Sequence, residues 1–592
     1  MSTILNRIAS FRKVMQENGI HACIIPGTDP HASEYIADHW KERDWISGFD
    51  GSAGTIVITL ENAGLWTDSR YFLQAENQLQ GSSIKLMKMG LAETPGIVAW
   101  LTSVLKPGET VGVNAQMFSV NAWSSMQSDL NKYDIALTNV DISGKIWSDR
   151  PAIPTFQAFS QPEKYAGKST GDKLSQVQEM MQKNLADVLI LTALDDIAWL
   201  FNMRGYDVSY NPVVIAYAMI FRDHTILYIN PDKITPEVSE NLTKNKVEVK
   251  RYEDINSDIS QIANNLTVWI DGGKLNQSLY AQIPASCKIV NQMSPVFKLK
   301  SIKNEVEIAG FKNAMIKDGV ALTKFFIWLE KSIPEGIVTE TLISDKLKEY
   351  RSQQDLFYGE SFGTIAGFAD HGAVIHYKAD ESSSYDVKPG HILLIDSGGQ
   401  YFDGTTDITR TISTGNPTAE QKLDYTLVLK GHIALATAVF PTGTRGSQLD
   451  ILARKAMWDR AMNYGHGTGH GIGHFLNVHE GPQNIRMDEN PVVLEPGMML
   501  SNEPGMYRDG KHGFRTENLI LVKEHIKTVF GSFLQFETLT LFPIDTTLID
   551  FDIFTQEEKN WLNQYHQEVY NKISPFLSGD EKSWLSMHTQ AI

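Results

Sequence analysis

The sequence predicts two similar α/β domains followed by an α+β domain. Three observations carry that prediction: a duplicated helix–strand pattern in the first half, a long amphipathic helix opening near residue 300, and a change beyond it to longer strands rich in glycine and aspartate. The duplication is legible in MQENGIHACIIPGTDP from Met15 and MQKNLADVLILTALDD from Met181, 166 positions apart (181 − 15). Each copy follows an apolar stripe at helical spacing, Leu5, Ile8, Phe11 and Met15 in the first and Leu174, Val177 and Met181 in the second. Each then enters an apolar strand, HACIIPG or ADVLILTA, and further strands such as GTIVIT and MIFRDHTILYI follow. The polar, proline-containing stretch AIPTFQAFSQPEKYAGKSTGD separates the copies, which puts the domains at 1–155, 156–299 and 300–592. The third opens with Asn304 and Glu307 as a capping box and continues along Ile308, Phe311, Met315, Leu322, Phe325 and Leu329. Its tail after Thr555 reads as helical, packed on its own domain or on a partner subunit.

Composition narrows the function. With 592 residues, 42% hydrophobic and 21% charged, the chain has the makeup of a folded protein too long for one core. Its formal charge of −17 disfavours nucleic acid and anionic membrane surfaces. The longest apolar run, Val213 to Phe221, falls short of the roughly 18 residues that span a bilayer. Arg7 and Arg12 interrupt what would be the apolar part of a signal peptide, so the N-terminus is expected to be an amphipathic helix. Two distant cysteines, Cys23 and Cys287, provide neither a thiolate zinc site nor a disulfide framework and fit a reducing cytoplasm.

The chemistry concentrates in the third domain. In HILLIDSGGQYFDGTTDITR the apolar run Ile392 to Ile395 ends on Asp396, and Asp407 follows eleven positions later beside another strand-like segment. If the two strands form a hairpin, the carboxylates share a face about 5 Å apart and repel by about 4 kcal/mol at an effective dielectric of about 20. A cation is therefore expected there. Glu503 ends GMMLSNEPG, Glu517 begins ENLILV, and YGHGTGHGIGHFLNVHEGP supplies a histidine donor among glycines at every second position, which let backbone approach closely. That segment is not a dinucleotide fingerprint, because Ile472 or His474 replaces the third glycine. His479-Glu480 is not a zincin motif, because Gln483 occupies the second histidine position. Asp386, Asp403, His474 and His525 are read as capping, surface or satisfied polar residues. Four carboxylates carry −4, which two divalent ions neutralise and one does not. Mostly oxygen donors with one nitrogen favour Mn²⁺ or a similar ion. The residues thus point to a dinuclear metallohydrolase.

The signatures IDSGGQYFDGTTDITRT, HGTGHGIGHFLNVHEGP, SNEPGMY and FRTENLILV, with GFDGSAGTIVIT and GLWTDSRYFLQA near the N-terminus, resemble the long, three-domain cytosolic Xaa-Pro aminopeptidases. The resemblance implies creatinase-like N-terminal domains, a pita-bread catalytic domain and removal of the first residue from Xaa-Pro peptides by a hydroxide activated between two metals. It implies that Asp396, Asp407, His470, Glu503 and Glu517 bind the metals, manganese in the first instance with zinc or cobalt as alternatives. Glu503 would shuttle the proton, and Arg515 would support the ligand shell. His376, His466 and His479 would line the reaction site, and Arg70 would reach toward the substrate. A cytoplasmic homodimer acting on peptides, without nucleic acid or membrane, is the implied setting. Met506, Thr516 and the Phe368–His371 loop depart from the family pattern and bear on substrate preference. The competing readings are a prolidase and a non-catalytic peptide-binding relative.

Overall fold

The structure, a computed structural model, describes residues 3–592 and divides into two compact units. The first holds residues up to 162 together with 168–298, and the second holds 163–167 with 299–592. In the first unit helix α1 (Thr3–Glu17) buries Ile8, Phe11 and Met15, and α2 (Thr170–Lys183), fixed by a Ser169/Asp172 capping box, buries Leu174, Val177 and Met181. The two stripes expected from the sequence therefore face two cores.

The unit contains two six-stranded sheets. The first comprises β1 (Ala22–Pro26), β2 (Thr55–Thr59), β3 (Ala63–Thr67), β4 (Lys85–Lys88), β5 (Thr110–Val113) and β6 (Ala136–Asn139), in the order 4-3-2-1-5-6. The second comprises β7 (Val188–Leu191), β8 (Ala216–Phe221), β9 (Thr225–Ile229), β10 (Val247–Lys250), β11 (Thr267–Ile270) and β12 (Lys288–Asn291), in the order 10-9-8-7-11-12. Pairing matches strand for strand. β1 is antiparallel to β2 and parallel to β5, as β7 is to β8 and β11. β1 and β7 begin 166 residues apart (188 − 22), so the repeat read from the sequence is a repeat of topology. Buried His31 joins the two halves of this unit: its ring stacks on Tyr217, with Nδ1 2.8 Å from the Thr192 carbonyl and Nε2 2.9 Å from the Tyr252 hydroxyl.

The second unit is α+β and antiparallel. Asn304 caps α3 (Glu305–Ser332) with the expected Glu307 capping box, and Phe311, Met315, Leu322, Phe325 and Leu329 are buried along it. Three strands, β13 (Ile365–Phe368), β14 (Ile392–Ser397) and β15 (Ile408–Ser413), form one sheet. A second sheet runs β16 (Val439–Pro441), β23 (Gly531–Thr538), β22 (Asn518–Thr528), β19 (Met499–Asn502), β17 (Gly469–Gly471) and β18 (Glu480–Ile485). The hairpin β20 (Gly505–Arg508) and β21 (His512–Arg515) lies between β19 and β22 in sequence. Helices α4 (Glu340–Ser352), α5 (Ala419–Ala436) and α6 (Gly446–Trp458) belong to the same unit. The tail forms α7 (Gln556–Ile573) and α8 (Gly579–His588) and packs on its own domain, where Trp584 Nε1 donates to Glu330 at 2.7 Å.

The connection between Asp396 and Asp407 is more elaborate than the simple hairpin expected. Gly399–Tyr401 and Gly404–Thr405 make their own small sheet with Phe357–Glu360 before the chain returns as β15. The glycine-rich segment makes the close backbone approach expected of it, and the approach is to neighbouring strands. A Cβ on Gly469 would lie 2.1 Å from the Ser501 carbonyl oxygen and one on Gly471 2.2 Å from that of Glu480, so neighbouring strands require these glycines.

Candidate metal centre

Strand ends place the carboxylates. In the β14–β15 ladder Asp396 lies opposite Thr409, which puts Asp407, two residues before Thr409, diagonally across from Asp396 on the same face. In the β19–β22 ladder Asn502 pairs with Asn518, so Glu503 and Glu517 are the next facing positions beyond the last pair. The two ladders meet where the Glu517 N–H donates to the Thr409 carbonyl at 3.1 Å.

The side chains converge accordingly. Single ligating atoms of Asp407, His470 and Glu517 lie within 4.8 Å of one another. His470 Nε2 is 3.5 Å from Asp407 and 3.4 Å from Glu503, and the His479 ring packs edge-on against His470 with centroids 4.3 Å apart. Arg515 Nη2 donates to Asp396 Oδ2 at 2.6 Å, while Asp396 Oδ1 is buried without a hydrogen-bond partner. Asp396, Asp407 and Glu517 are buried, whereas Glu503, His466, His470 and His479 are half-exposed. The result is an acidic floor with a histidine-lined rim.

This arrangement is electrostatically unfinished. Burial, with the neighbouring negative charges of Asp407 and Glu503 added, pushes the Asp396 carboxyl up to about 6 even though Arg515 opposes it. Burial also raises Glu503, and burial together with Asp407, Glu503 and Asp396 raises Glu517 well above the usual carboxylate range. Burial disfavours the charged form of His470, but Asp407 and Glu503 overcome it and lift the imidazole to about 9. The unpartnered Asp396 oxygen, the mutual repulsion and the donor set of four carboxylates and one imidazole all fit divalent cations.

A layer of residues that the sequence reading did not single out holds the cluster. Thr409 Oγ1 donates to Glu517 at 2.8 Å and accepts from Arg515 Nε at 3.1 Å. Ser501 Oγ donates to Glu503 at 3.0 Å and accepts from the His470 N–H at 3.0 Å. The Tyr507 hydroxyl is 2.7 Å from Arg515 Nη1 and 2.8 Å from His466 Nε2, so it ties the rim histidine to the arginine that holds Asp396.

The remaining expected residues lie as follows. His376 is half-buried just beyond the 3-10 turn Ala369–Ala373, which packs so closely on β21 that a Cβ on Gly513 would strike the Gly372 carbonyl oxygen at 1.7 Å. Glu340, fully buried, gathers the segment around His376 by accepting from Phe368 N, Tyr385 N, the Tyr377 hydroxyl and His371 Nδ1 at 2.8 to 2.9 Å. That bond gives His371, in the unusual Phe368–His371 loop, a packing role. Arg70 belongs to the first unit, where two 2.8 Å hydrogen bonds bind its guanidinium to Asp68. Met506 and Thr516 are buried. His474 is a satisfied polar group, 3.0 Å from the Asp403 carbonyl, and Asp403 accepts from Asn313 and Lys317. Asp386 is exposed beside Lys388, and His525 is exposed on β22.

Known proteins share this organisation. Residues 7–151 and 149–307 each match a model of the Creatinase/Prolidase N-terminal domain, 309–524 match metallopeptidase family M24, and 532–592 match the C-terminal region of that peptidase. A probable Xaa-Pro aminopeptidase P of Laccaria bicolor is 42% identical over 595 residues, covering 98% of this chain and 92% of the relative. One from Coprinopsis cinerea is 40% identical, covering 99% and 98%. The crystal structure of X-prolyl aminopeptidase from Caenorhabditis elegans, a cytosolic enzyme with a di-nuclear active site, superimposes with a TM-score of 0.96 at 34% identity over 100% of both chains. The Xaa-Pro dipeptidase from Bacillus anthracis shares the fold at a TM-score of 0.52 and 23% identity, but over only 64% of this chain and 99% of its own. With its twin creatinase-type sheets and its M24 pita-bread domain, the chain belongs to the Xaa-Pro aminopeptidase P family.

Proposed function

We infer that this protein is a metalloaminopeptidase that removes the N-terminal residue from peptides with proline in second position. The observation that carries the reading is the convergence of Asp396, Asp407, Glu503 and Glu517 at the ends of two strand ladders, with His470 beside Asp407 and Glu503. In this reading these five side chains would hold two divalent cations. When bound, such ions lower the pKa of a water and offset the negative charge that develops on the scissile carbonyl.

The protein's own groups supply the rest. Glu503 has a carboxyl raised by burial, which suits it to take a proton from the attacking water and deliver it to the departing prolyl nitrogen. His479, packed against His470 at the rim, is placed to donate to the substrate carbonyl. Arg515 fixes Asp396, and the Tyr507 bridge sets the orientation of His466, which offers a ring face to the substrate proline. His376 completes the wall. The prolyl nitrogen in the scissile bond has no N–H, so the site needs no acceptor for it.

Manganese as the metal, a homodimer and a cytoplasmic setting complete the reading. The oxygen-rich donor set supports manganese. Val529 and Phe530, 95% and 87% exposed at the tip of the β22–β23 hairpin, are the apolar surface that supports a contact between copies. The test is to incubate chelated protein with Xaa-Pro peptides of two to ten or so residues, before and after adding manganese, and to read products by mass. Manganese-dependent release of one residue from peptides of three or more is expected. Cleavage of dipeptides alone would replace this reading with a prolidase.

A further inference from the structure

Next to the two glutamates lies a buried polar chain that the chemistry above does not use. His432, on α5, is fully buried, with Nδ1 3.1 Å from the Asn502 carbonyl, and Asn502 returns a bond from its side-chain amide to the His432 carbonyl at 2.9 Å. His432 Nε2 accepts from Asn518 Nδ2 at 3.2 Å. Asn502 directly precedes Glu503, and Asn518 directly follows Glu517. One neutral imidazole thus spans the two strands at the residues adjoining the two carboxylates.

The chain continues to the tail. Arg410, also buried, donates to the Glu517 carbonyl at 2.7 Å and to Asn518 Oδ1 at 2.8 Å. The same guanidinium donates to the Tyr565 hydroxyl at 2.9 Å, and that hydroxyl, on α7, donates in turn to the Thr540 or Phe542 carbonyl at 3.0 or 2.9 Å. Trp561, one turn earlier on α7, stacks on Tyr565 and meets the His432 ring edge-on. Burial, with the charge of Arg410 added, holds the His432 pKa down to about 3, which keeps the imidazole a donor at one nitrogen and an acceptor at the other.

We propose that Tyr565 and His432 are positioning residues for the reaction: the C-terminal helix, acting through Tyr565, Arg410, Asn518 and His432, sets the spacing between Glu503 and Glu517. Partners outside a ligand shell orient the ligands, and their loss commonly costs metal affinity and turnover. The tail is thereby part of the working site although it contributes no group to the reacting atoms.

The proposal rests on the metallopeptidase reading, so its test keeps the two separable. Full-length wild type, Tyr565→Phe, His432→Phe, the double variant and His432→Asn are stripped of metal. Manganese affinity is then read by calorimetry, kcat and KM on an Xaa-Pro tripeptide, and melting of the metal-free proteins by circular dichroism. Tyr565→Phe removes one oxygen atom and is expected to weaken manganese binding and lower kcat on the order of tenfold with KM nearly unchanged. His432→Phe is expected to cost more, the double variant no more than His432→Phe alone, and His432→Asn, which restores a donor toward the Asn502 carbonyl, to recover part of the loss. The proposal is overturned if Tyr565→Phe matches wild type in affinity and kcat, if the two losses multiply independently, or if they follow the melting temperature alone. A wild-type protein that binds manganese but leaves the tripeptide intact would sink the functional reading, while the affinities would still decide this one.

Discussion

A buried ion pair of the first unit and the carboxylate cluster of the second hold charge by opposite rules. In the first unit Lys233 has its counter-charge: it meets Asp207 at 2.6 Å with both side chains at or below 1% exposure. The same unit holds two apolar clusters, one including Ile8, Phe11 and Ile56 and another including Val188, Tyr217 and Ile270. In the second unit four carboxylates and one half-exposed histidine crowd together, with a single arginine among them. Folding alone does not favour that crowding, since like charges brought close in a poorly screened interior cost several kcal/mol. The contrast separates a scaffold from a site.

The largest effect that would sharpen this contrast is expected from Glu517→Ala. Removing a ligating carboxylate should cut turnover of Xaa-Pro peptides by more than the roughly hundredfold that loss of an outer partner costs. The melting transition of the first unit should stay where it is, as scanning calorimetry would read. Wild-type turnover in that variant would remove Glu517 from the site. Lys233→Met tests the opposite rule. It leaves Asp207 buried without its cation and should destabilise the first unit by about 3–5 kcal/mol in urea titration, while manganese stoichiometry of the folded fraction is unchanged.

A smaller effect depends on pH. Burial pushes the Glu42 carboxyl up to about 7 in the first unit, despite a hydrogen bond from Ser143 that opposes the shift. The folded chain therefore keeps that proton in a range where the unfolded chain has lost it, so stability is present at low pH and falls as pH rises toward about 7. Glu42→Gln does not titrate. Its stability should gain on wild type by about 1.4 kcal/mol per pH unit across that window, and parallel unfolding curves would count against the assignment. The smallest effect expected is that of Tyr507→Phe. Loss of the hydroxyl between Arg515 and His466 should lower kcat by roughly tenfold and leave metal content intact, as elemental analysis would show.

How much of this was legible in the sequence depended on how local the signal was. The repeat could be read because each copy carries its own stripe and strand, and the structure gives both the same strand order. Asp396 stood out because a carboxylate ends an apolar run, and Glu503 and Glu517 because they flank strands. The small sheet inserted between Asp396 and Asp407 was not legible, because it depends on pairing with Phe357–Glu360, some forty residues upstream (399 − 360 = 39). Thr409, Ser501 and Tyr507 have ordinary spacing, and their partners include residues as much as 108 positions away. His432 gave no signal because a histidine on the apolar face of a helix looks like any satisfied core residue. Its meaning lies in Asn502 and Asn518, 70 and 86 positions away.

The most direct test of the central claim, that these carboxylates are tolerated together because two cations neutralise them, is calorimetric titration of manganese into chelated protein near neutral pH. Uptake of two equivalents with release of protons, reduced in Asp396→Asn and Glu517→Gln, is the predicted result. Less than one equivalent, or binding indifferent to both substitutions, would contradict it and favour a peptide-binding protein that has kept the fold without the metals.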